Sequence, residues 1–182
     1  AYVARLFQIA LERLRRRKSE GAGGILHFHA IDIWPSVTMA AIDFERVPTK
    51  VFDTVRRSFA PVAASLEYDR DQWQPGEAFR CGVWAINDRW EAVPGATVPP
   101  CGIQDSSGKT RAAGEWPVSM APDSAQKLGD VRWTAAEPGS YELRAEVRAA
   151  DGSPISENVF EFTVKPAVKT VGLGGAASIS SQ

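Results

Sequence analysis

The apolar positions change period once along the chain, close to residue 61. From Tyr2 to Lys18, the residues Val3, Leu6, Phe7, Ala10 and Leu14 recur at helical spacing. Glu12 and Arg16 form an i,i+4 pair on a more polar side, so the pattern predicts an amphipathic helix. Arg15, Arg16, Arg17 and Lys18 crowd its last turn, where cations suit the helix dipole, and Gly21, Gly23 and Gly24 follow as stop signals. The basic run therefore reads as a helix end. Ile25 to Ile31 is apolar but too brief for an independent helix, and predicts a strand covered on both faces. A second helix is expected from Pro48, a residue suited to a first turn, through Val51, Phe52, Val55 and Phe59 to a stop at Pro61.

After Pro61 the pattern alternates. Strands are expected near 63–68, 78–86, 97–104, 131–134, 141–148 and 158–164, divided by turn signals such as "QPGE", "INDRW", "DSSGK", "EPGS" and "ADGS". In "SYELRAEV", Tyr141, Leu143, Ala145 and Val147 share one face while Glu142, Arg144 and Glu146 share the other, as a half-exposed sandwich strand requires. Tyr141 follows a Pro-Gly turn at the start of its strand, the place of a tyrosine corner in an immunoglobulin-like sandwich. The two cysteines, Cys81 and Cys101, are too close in sequence for the disulfide of that fold and are expected to be free thiols.

The first sixty residues follow another grammar. Helix, parallel-type strand, helix is the repeat of an α/β barrel or open sheet, and one such unit cannot satisfy a strand buried on both faces. Residues 1–60 are therefore expected to be a piece of something larger. Composition narrows the partners: 21 Lys+Arg against 22 Asp+Glu give a formal net charge of -1 over 182 residues, which supplies no field to gather nucleic acid or an anionic membrane. No apolar run reaches the roughly 20 residues that cross a bilayer as a helix. Neither cysteine use nor a targeting signal indicates a compartment.

The stretch "GGILHFHAIDIWPSVTMAAIDFERVPTKVFDTVRRSFAPV" resembles the end of the catalytic barrel in glycoside hydrolase family 2, in its β-mannosidase and exo-glucosaminidase-like branch. Asp32, Trp34-Pro35, Ser36, Asp43-Phe44, Lys50 and Phe59-Ala60-Pro61 stand in the order in which that family places an acidic strand exit, a Trp-Pro pair, an "S…DF" segment, a Lys-bearing last helix and a Phe-Ala-Pro exit. "GVWAIND" and "GSYELRAEV" resemble the β-sandwich that follows the barrel there. The resemblance implies an α+β fragment: the last helix-strand-helix of a TIM barrel over 1–60, an immunoglobulin-like β-sandwich over 61–166 and a flexible tail over 167–182. It further implies a retaining glycosidase parent whose two glutamates act as acid/base and nucleophile. No Asn-Glu pair occurs here, and Glu12, Glu20 and Glu45 lie on or beside helices, so this chain is expected to lack catalysis of its own and to need no cofactor. What it would keep is one wall of the sugar site. Phe28 stands where the family often has a tryptophan under the sugar ring, Asp32 is placed to accept sugar hydroxyls, and Trp34 to line the entrance. The bland alternative has Phe28 filling the barrel, Asp32 capping a loop and Trp34 packing beneath it. The implied partners are a glycoside or oligosaccharide, met through the parent enzyme, and the rest of the barrel, or a second copy in its place.

Two other readings stand beside this one. His27 and His29, two apart on a strand, share a face as in metal-dependent barrel hydrolases; if Phe28 faces the barrel, both point instead to the helix layer. A sandwich with Trp73, Trp84, Trp90, Trp116 and Trp133 is also a candidate carbohydrate-binding or structural module. In the structural version Trp84 and Ile86, opposite the Phe79, Cys81, Val83 face, pack the sandwich onto the barrel helices.

Overall fold

The computed structural model describes residues 2–36 and 39–166; the tail expected over 167–182 lies outside them. It is a β-sandwich with two helices docked against it. Helix α1 spans Tyr2–Arg16 and is followed by a 3-10 turn at Lys18–Glu20; helix α2 spans Lys50–Ser58. Eight strands follow: β1 Val62–Glu67, β2 Gln72–Trp73, β3 Ala78–Asn87, β4 Val93–Asp105, β5 Thr110–Met120, β6 Ser124–Thr134, β7 Gly139–Arg148 and β8 Pro154–Val164. They form a three-stranded sheet in the order β1-β3-β6 and a five-stranded sheet in the order β2-β8-β7-β4-β5, antiparallel except where β2 joins β8.

Alternation builds the core. Phe79, Cys81, Val83 and Ala85 of β3 face Val98, Cys101 and Ile103 of β4 and Leu143, Ala145 and Val147 of β7, all within one apolar cluster between the sheets. At one end the aromatics gather: Phe79 stacks with Phe162 at 4.5 Å, Trp73 meets Phe162 at 5.2 Å, and Trp133 meets Tyr141 edge-on at 4.8 Å. The tyrosine corner is present, with Tyr141 Oη donating to the Glu137 carbonyl at 2.9 Å. Both cysteines are free and fully buried. Burial pushes the Cys101 thiol up to about 12 and the Cys81 thiol well above its ordinary value.

Trp116 of β5 closes the sandwich edge. A Cβ placed on Gly129 of β6 would lie 2.5 Å from Trp116 Nε1, and one on Gly114 would lie 2.4 Å from Trp116 Cη2. The indole thus rests flat on backbone that only glycine leaves bare, and it carries β5 of one sheet over β6 of the other.

The first sixty residues depart from expectation in three ways. The segment 25–31 is not a strand. A single parallel bridge joins Ile31 to Ile42, and Leu26 and Phe28 are 97% and 78% exposed. Among the described residues no neighbouring strand pairs its backbone, and an apolar run without partners does not form a ladder by itself. Helix α2 also begins two residues later than Pro48, because the Thr49 side chain accepts from Val51 N at 3.1 Å and caps the helix there.

The third departure concerns the polar side of α1, which is buried against the sandwich. Glu12 is 4% exposed and Arg15 is 6% exposed, while Tyr2, Leu6, Ile9 and Leu14 remain open to solvent. Val3 and Phe7 pack with Val51, Phe52 and Val55 of α2. Glu12 Oε2 accepts from Ser65 Oγ at 2.8 Å and Leu66 N at 3.1 Å, and Oε1 accepts from Asn158 Nδ2 at 2.8 Å. Ser65 lies on β1 and Asn158 on β8, so one carboxylate ties the helix to both sheets. Burial raises the Glu12 carboxyl above its ordinary value, opposed by these hydrogen bonds and by Arg16, and burial likewise lowers Arg16. Arg15 donates to the carbonyls of Ser58 and Ala60, taking up acceptors that the end of α2 leaves free. Lys18 pairs with Asp88 and Asp123. The basic run is thus a helix end, as its position suggested; Arg16 and Lys18 reach the sandwich, while Arg17 pairs with Glu20 of the following turn.

Candidate functional site

The residues singled out in the sequence sit in the path from α1 to α2. Asp32 N donates to Ile42 O at 3.0 Å and Ile42 N to Ala30 O at 2.9 Å, which lays 30–32 beside 41–43. The chain then turns at Asp43, whose Oδ1 accepts from Val47 N at 2.8 Å, and returns so that Thr49 N reaches Ala41 O at 2.9 Å. This small bridged patch holds Asp32 in place ahead of α2.

Asp32 is buried, 5% exposed, whereas Phe28 and Trp34 are 78% and 61% exposed. The two rings offered as a sugar-facing wall stand open, and the carboxylate is buried. His29 is the neighbour of both groups: its ring meets Phe28 edge-on at 4.9 Å, Nε2 lies 3.7 Å from Asp32 Oδ1, and Nδ1 lies 3.0 Å from the Ile31 carbonyl oxygen. His27 goes elsewhere, edge-on to Phe7 of α1 at 4.6 Å. The two histidines therefore do not converge on one point: His27 joins the helix layer, as the alternation argument expected, and His29 joins Asp32. His29 was weighed in the sequence as a metal ligand or as packing in the helix layer. Its three-residue separation from Asp32 signals proximity only where the chain turns, and a strand was expected there.

The five sandwich tryptophans do not form a common platform. Trp73 is in the core, Trp116 lies on Gly114 and Gly129, and Trp133 packs on Tyr141. Trp84 donates from Nε1 to Glu67 Oε2 at 3.0 Å with Lys127 over its ring, and of the five Trp90 alone is exposed, at 86%. Ile86 is fully buried on the face opposite the Phe79, Cys81, Val83 row.

Apolar exposure concentrates on the connecting segment. Leu26, Phe28, Ile33 and Trp34, with Met39, Phe44 and Val47 further along, each leave more than two-fifths of their surface in water, and Leu6 and Leu14 of α1 do the same. Isolated exposed apolar residues are ordinary, but so many within one short segment mark a surface meant to be covered.

No family model matches the chain. A curated relative, β-mannosidase B of Neosartorya fischeri, is 27% identical over 78 residues, 40% of this chain and 9% of the relative. The exo-chitosanase of Amycolatopsis orientalis superposes with a TM-score of 0.72 at 15% identity, covering 90% of this chain and 18% of that one. A β-D-mannosidase of Dictyoglomus thermophilum superposes with a TM-score of 0.69 at 18% identity, covering 91% of this chain and 19% of that one. The resemblance read from the sequence is borne out in both kinds of comparison: the chain is similar to enzymes of the β-mannosidase and exo-glucosaminidase-like branch of glycoside hydrolase family 2. The solved structures establish the shared fold. The chain spans about a tenth of the curated relative and under a fifth of each solved protein.

Proposed function

We propose that this chain is the C-terminal portion of a retaining glycoside hydrolase acting on β-linked sugars, β-mannosidase-like in kind, with no turnover of its own. Residues 1–60 would be the last helix-strand-helix of its TIM barrel and residues 61–166 an immunoglobulin-like sandwich. The observation that carries this reading is the row of exposed apolar residues from Leu26 to Val47. It is what a barrel strand and its exit loop present when the neighbouring strands are elsewhere. The likeness to enzymes about five times as long supports placing those neighbours in a longer parent.

In that setting Phe28 and Trp34 line one side of the sugar site, at the carboxyl end of the strand where barrel enzymes bind substrate, and Asp32 supports it with a carboxylate. Hydrolysis needs a proton donor and a nucleophile from other strands. The fragment positions sugar and stabilises the barrel's end; it does not cleave.

The test is made on the parent enzyme. With an aryl β-mannoside, proton NMR of the first-formed product should show the anomeric configuration retained, and Asp32→Ala should lower kcat/KM by an amount equivalent to about 1–3 kcal/mol. An inverted first product overturns the family reading. An unchanged kcat/KM in a folded Asp32→Ala variant returns Asp32 to loop capping. The chain alone should release no aryl alcohol after repurification, and persistent release would overturn its assignment as a non-catalytic portion.

A further inference from the structure

We infer that Thr49 is the positioning residue for the Asp32 segment, and that it acts through its hydroxyl proton as well as by capping α2. Asp32 is held to the rest of the patch by its backbone. Its N–H donates to the Ile42 carbonyl at 3.0 Å, and Ile42 N–H donates to the Ala30 carbonyl at 2.9 Å. A pairing this short, one parallel bridge between Ile31 and Ile42, is marginal in water without further support. Whatever fixes 40–42 therefore fixes Asp32.

Thr49 grips that ribbon from its other side. Its N–H donates to the Ala41 carbonyl at 2.9 Å, and its Oγ1 lies 3.1 Å from the carbonyl oxygens of both Ala40 and Ala41. Carbonyls only accept, so the hydroxyl proton points at the ribbon and is shared between them. The oxygen lone pairs are left to accept from Val51 N at 3.1 Å, which caps α2. Each partner admits a single role, and none of them titrates. One hydroxyl thus joins the start of the helix to the ribbon, with Ala40 and Ala41 buried beneath it.

The consequence for the site rests on the functional reading above. The far end of α2 is held by Arg15 of α1, through the Ser58 and Ala60 carbonyls. Helix α2 is then a strut that runs from the junction with the sandwich to the sugar-facing patch, and Thr49 is the joint at its near end. A carboxylate carried on a segment so fixed meets a sugar hydroxyl without first having to be ordered.

The experiment separates the clamp from the cap. Thr49→Asp keeps an oxygen that accepts from Val51 N but has no proton for the Ala40 and Ala41 carbonyls, whereas Thr49→Ser keeps both functions. Amide hydrogen exchange on the chain, read by NMR, should speed about tenfold at Asp32 and Ile42 in Thr49→Asp, the size of one lost neutral hydrogen bond. Val51 and the amides of β7 should keep their protection, and Thr49→Ser should match the unaltered chain. Unchanged exchange at Asp32 and Ile42 in Thr49→Asp overturns the inference, and so does a loss in Thr49→Ser as large as in Thr49→Asp. In the parent enzyme, Thr49→Asp should lower kcat/KM about tenfold, and should have no further effect once Asp32 is alanine. Equal factors in the two backgrounds overturn positioning through Asp32. If Asp32→Ala alone leaves kcat/KM unchanged, the sugar role of Asp32 fails, while the exchange rates still decide whether Thr49 holds its segment.

Discussion

Replacing Glu12 by alanine should cost more stability than any other single change at the junction between helix and sandwich. The side chain is 5% exposed and accepts three hydrogen bonds, from Ser65 Oγ, Leu66 N and Asn158 Nδ2, with the Arg16 guanidinium 3.9 Å away and itself 9% exposed. Alanine strands the Leu66 N–H without a partner, and a buried donor so abandoned costs about 1–3 kcal/mol. It also leaves Arg16 without its counter-charge, and removing one member of a buried pair costs about 3–5 kcal/mol. These losses share one carboxylate and do not add. The whole effect should therefore be about 3–5 kcal/mol, well above a typical substitution. Urea unfolding followed by tryptophan fluorescence reads it as a fall in midpoint at constant slope.

Glu12→Gln adds a second arm to the same prediction. Burial raises the Glu12 carboxyl, so the folded chain binds this proton more tightly than the unfolded chain. Its contribution is fully present below the ordinary carboxylate value and is lost as pH rises through the raised one. Glutamine cannot titrate, so the advantage of the natural chain over Glu12→Gln should be larger at pH 5 than at pH 8. A loss under about 1 kcal/mol for Glu12→Ala, or an advantage over Gln that grows with pH, would refute the reasoning.

Gly129→Ala should push the Trp116 indole off its seat, because the new methyl would lie 2.5 Å from Nε1; the expected loss is about 1–3 kcal/mol, with a red-shifted emission from the displaced indole. Tyr141→Phe removes the bond to the Glu137 carbonyl and should lower stability by about 1 kcal/mol in thermal unfolding, with the fold intact by circular dichroism. Cys81 and Cys101 should resist an aromatic disulfide reagent at pH 8 in the folded chain and react at once in urea, since burial holds both thiols protonated; rapid labelling in the native state would contradict their placement between the sheets.

The sandwich was legible where one face of a strand is apolar and the other charged. Tyr141, Leu143, Ala145 and Val147 entered the core as their alternation required, and β8 followed the same rule, whereas β3 is buried on both faces beyond Arg80. Strand β5 was missed because the first half of "TRAAGEWPVSM" is small and polar: its inward positions Ala112, Gly114, Trp116, Val118 and Met120 alternate, but the first two carry too little side chain to mark the face. The two-residue β2 is too short to carry a period. The polar side of α1 was misjudged for a different reason. Glu12 looks solvated from within its own helix, and its partners Ser65 and Asn158 lie 53 and 146 residues away. In the candidate site, Asp32, Phe28 and Trp34 came from a family likeness, and physical periodicity alone would have passed over all three. His29 became visible as their neighbour only once the chain was seen to turn there.

The contact between Glu12 and Asn158 also sets an order of events. Helix α1 is synthesised before every strand of the sandwich, and the amide that completes its buried carboxylate is on β8, the last strand among the described residues. At about 5–20 residues per second, the helix waits roughly 10–30 s for that partner, with Leu6 and Ile9 open on one side and Glu12 and Arg15 unmet on the other. Closure over so long a loop places this docking late, after the local hairpins of the sandwich have formed. A chaperone acting on the nascent chain would find α1 unmatched for as long as the sandwich is being made, and release would coincide with the pairing of β7 and β8.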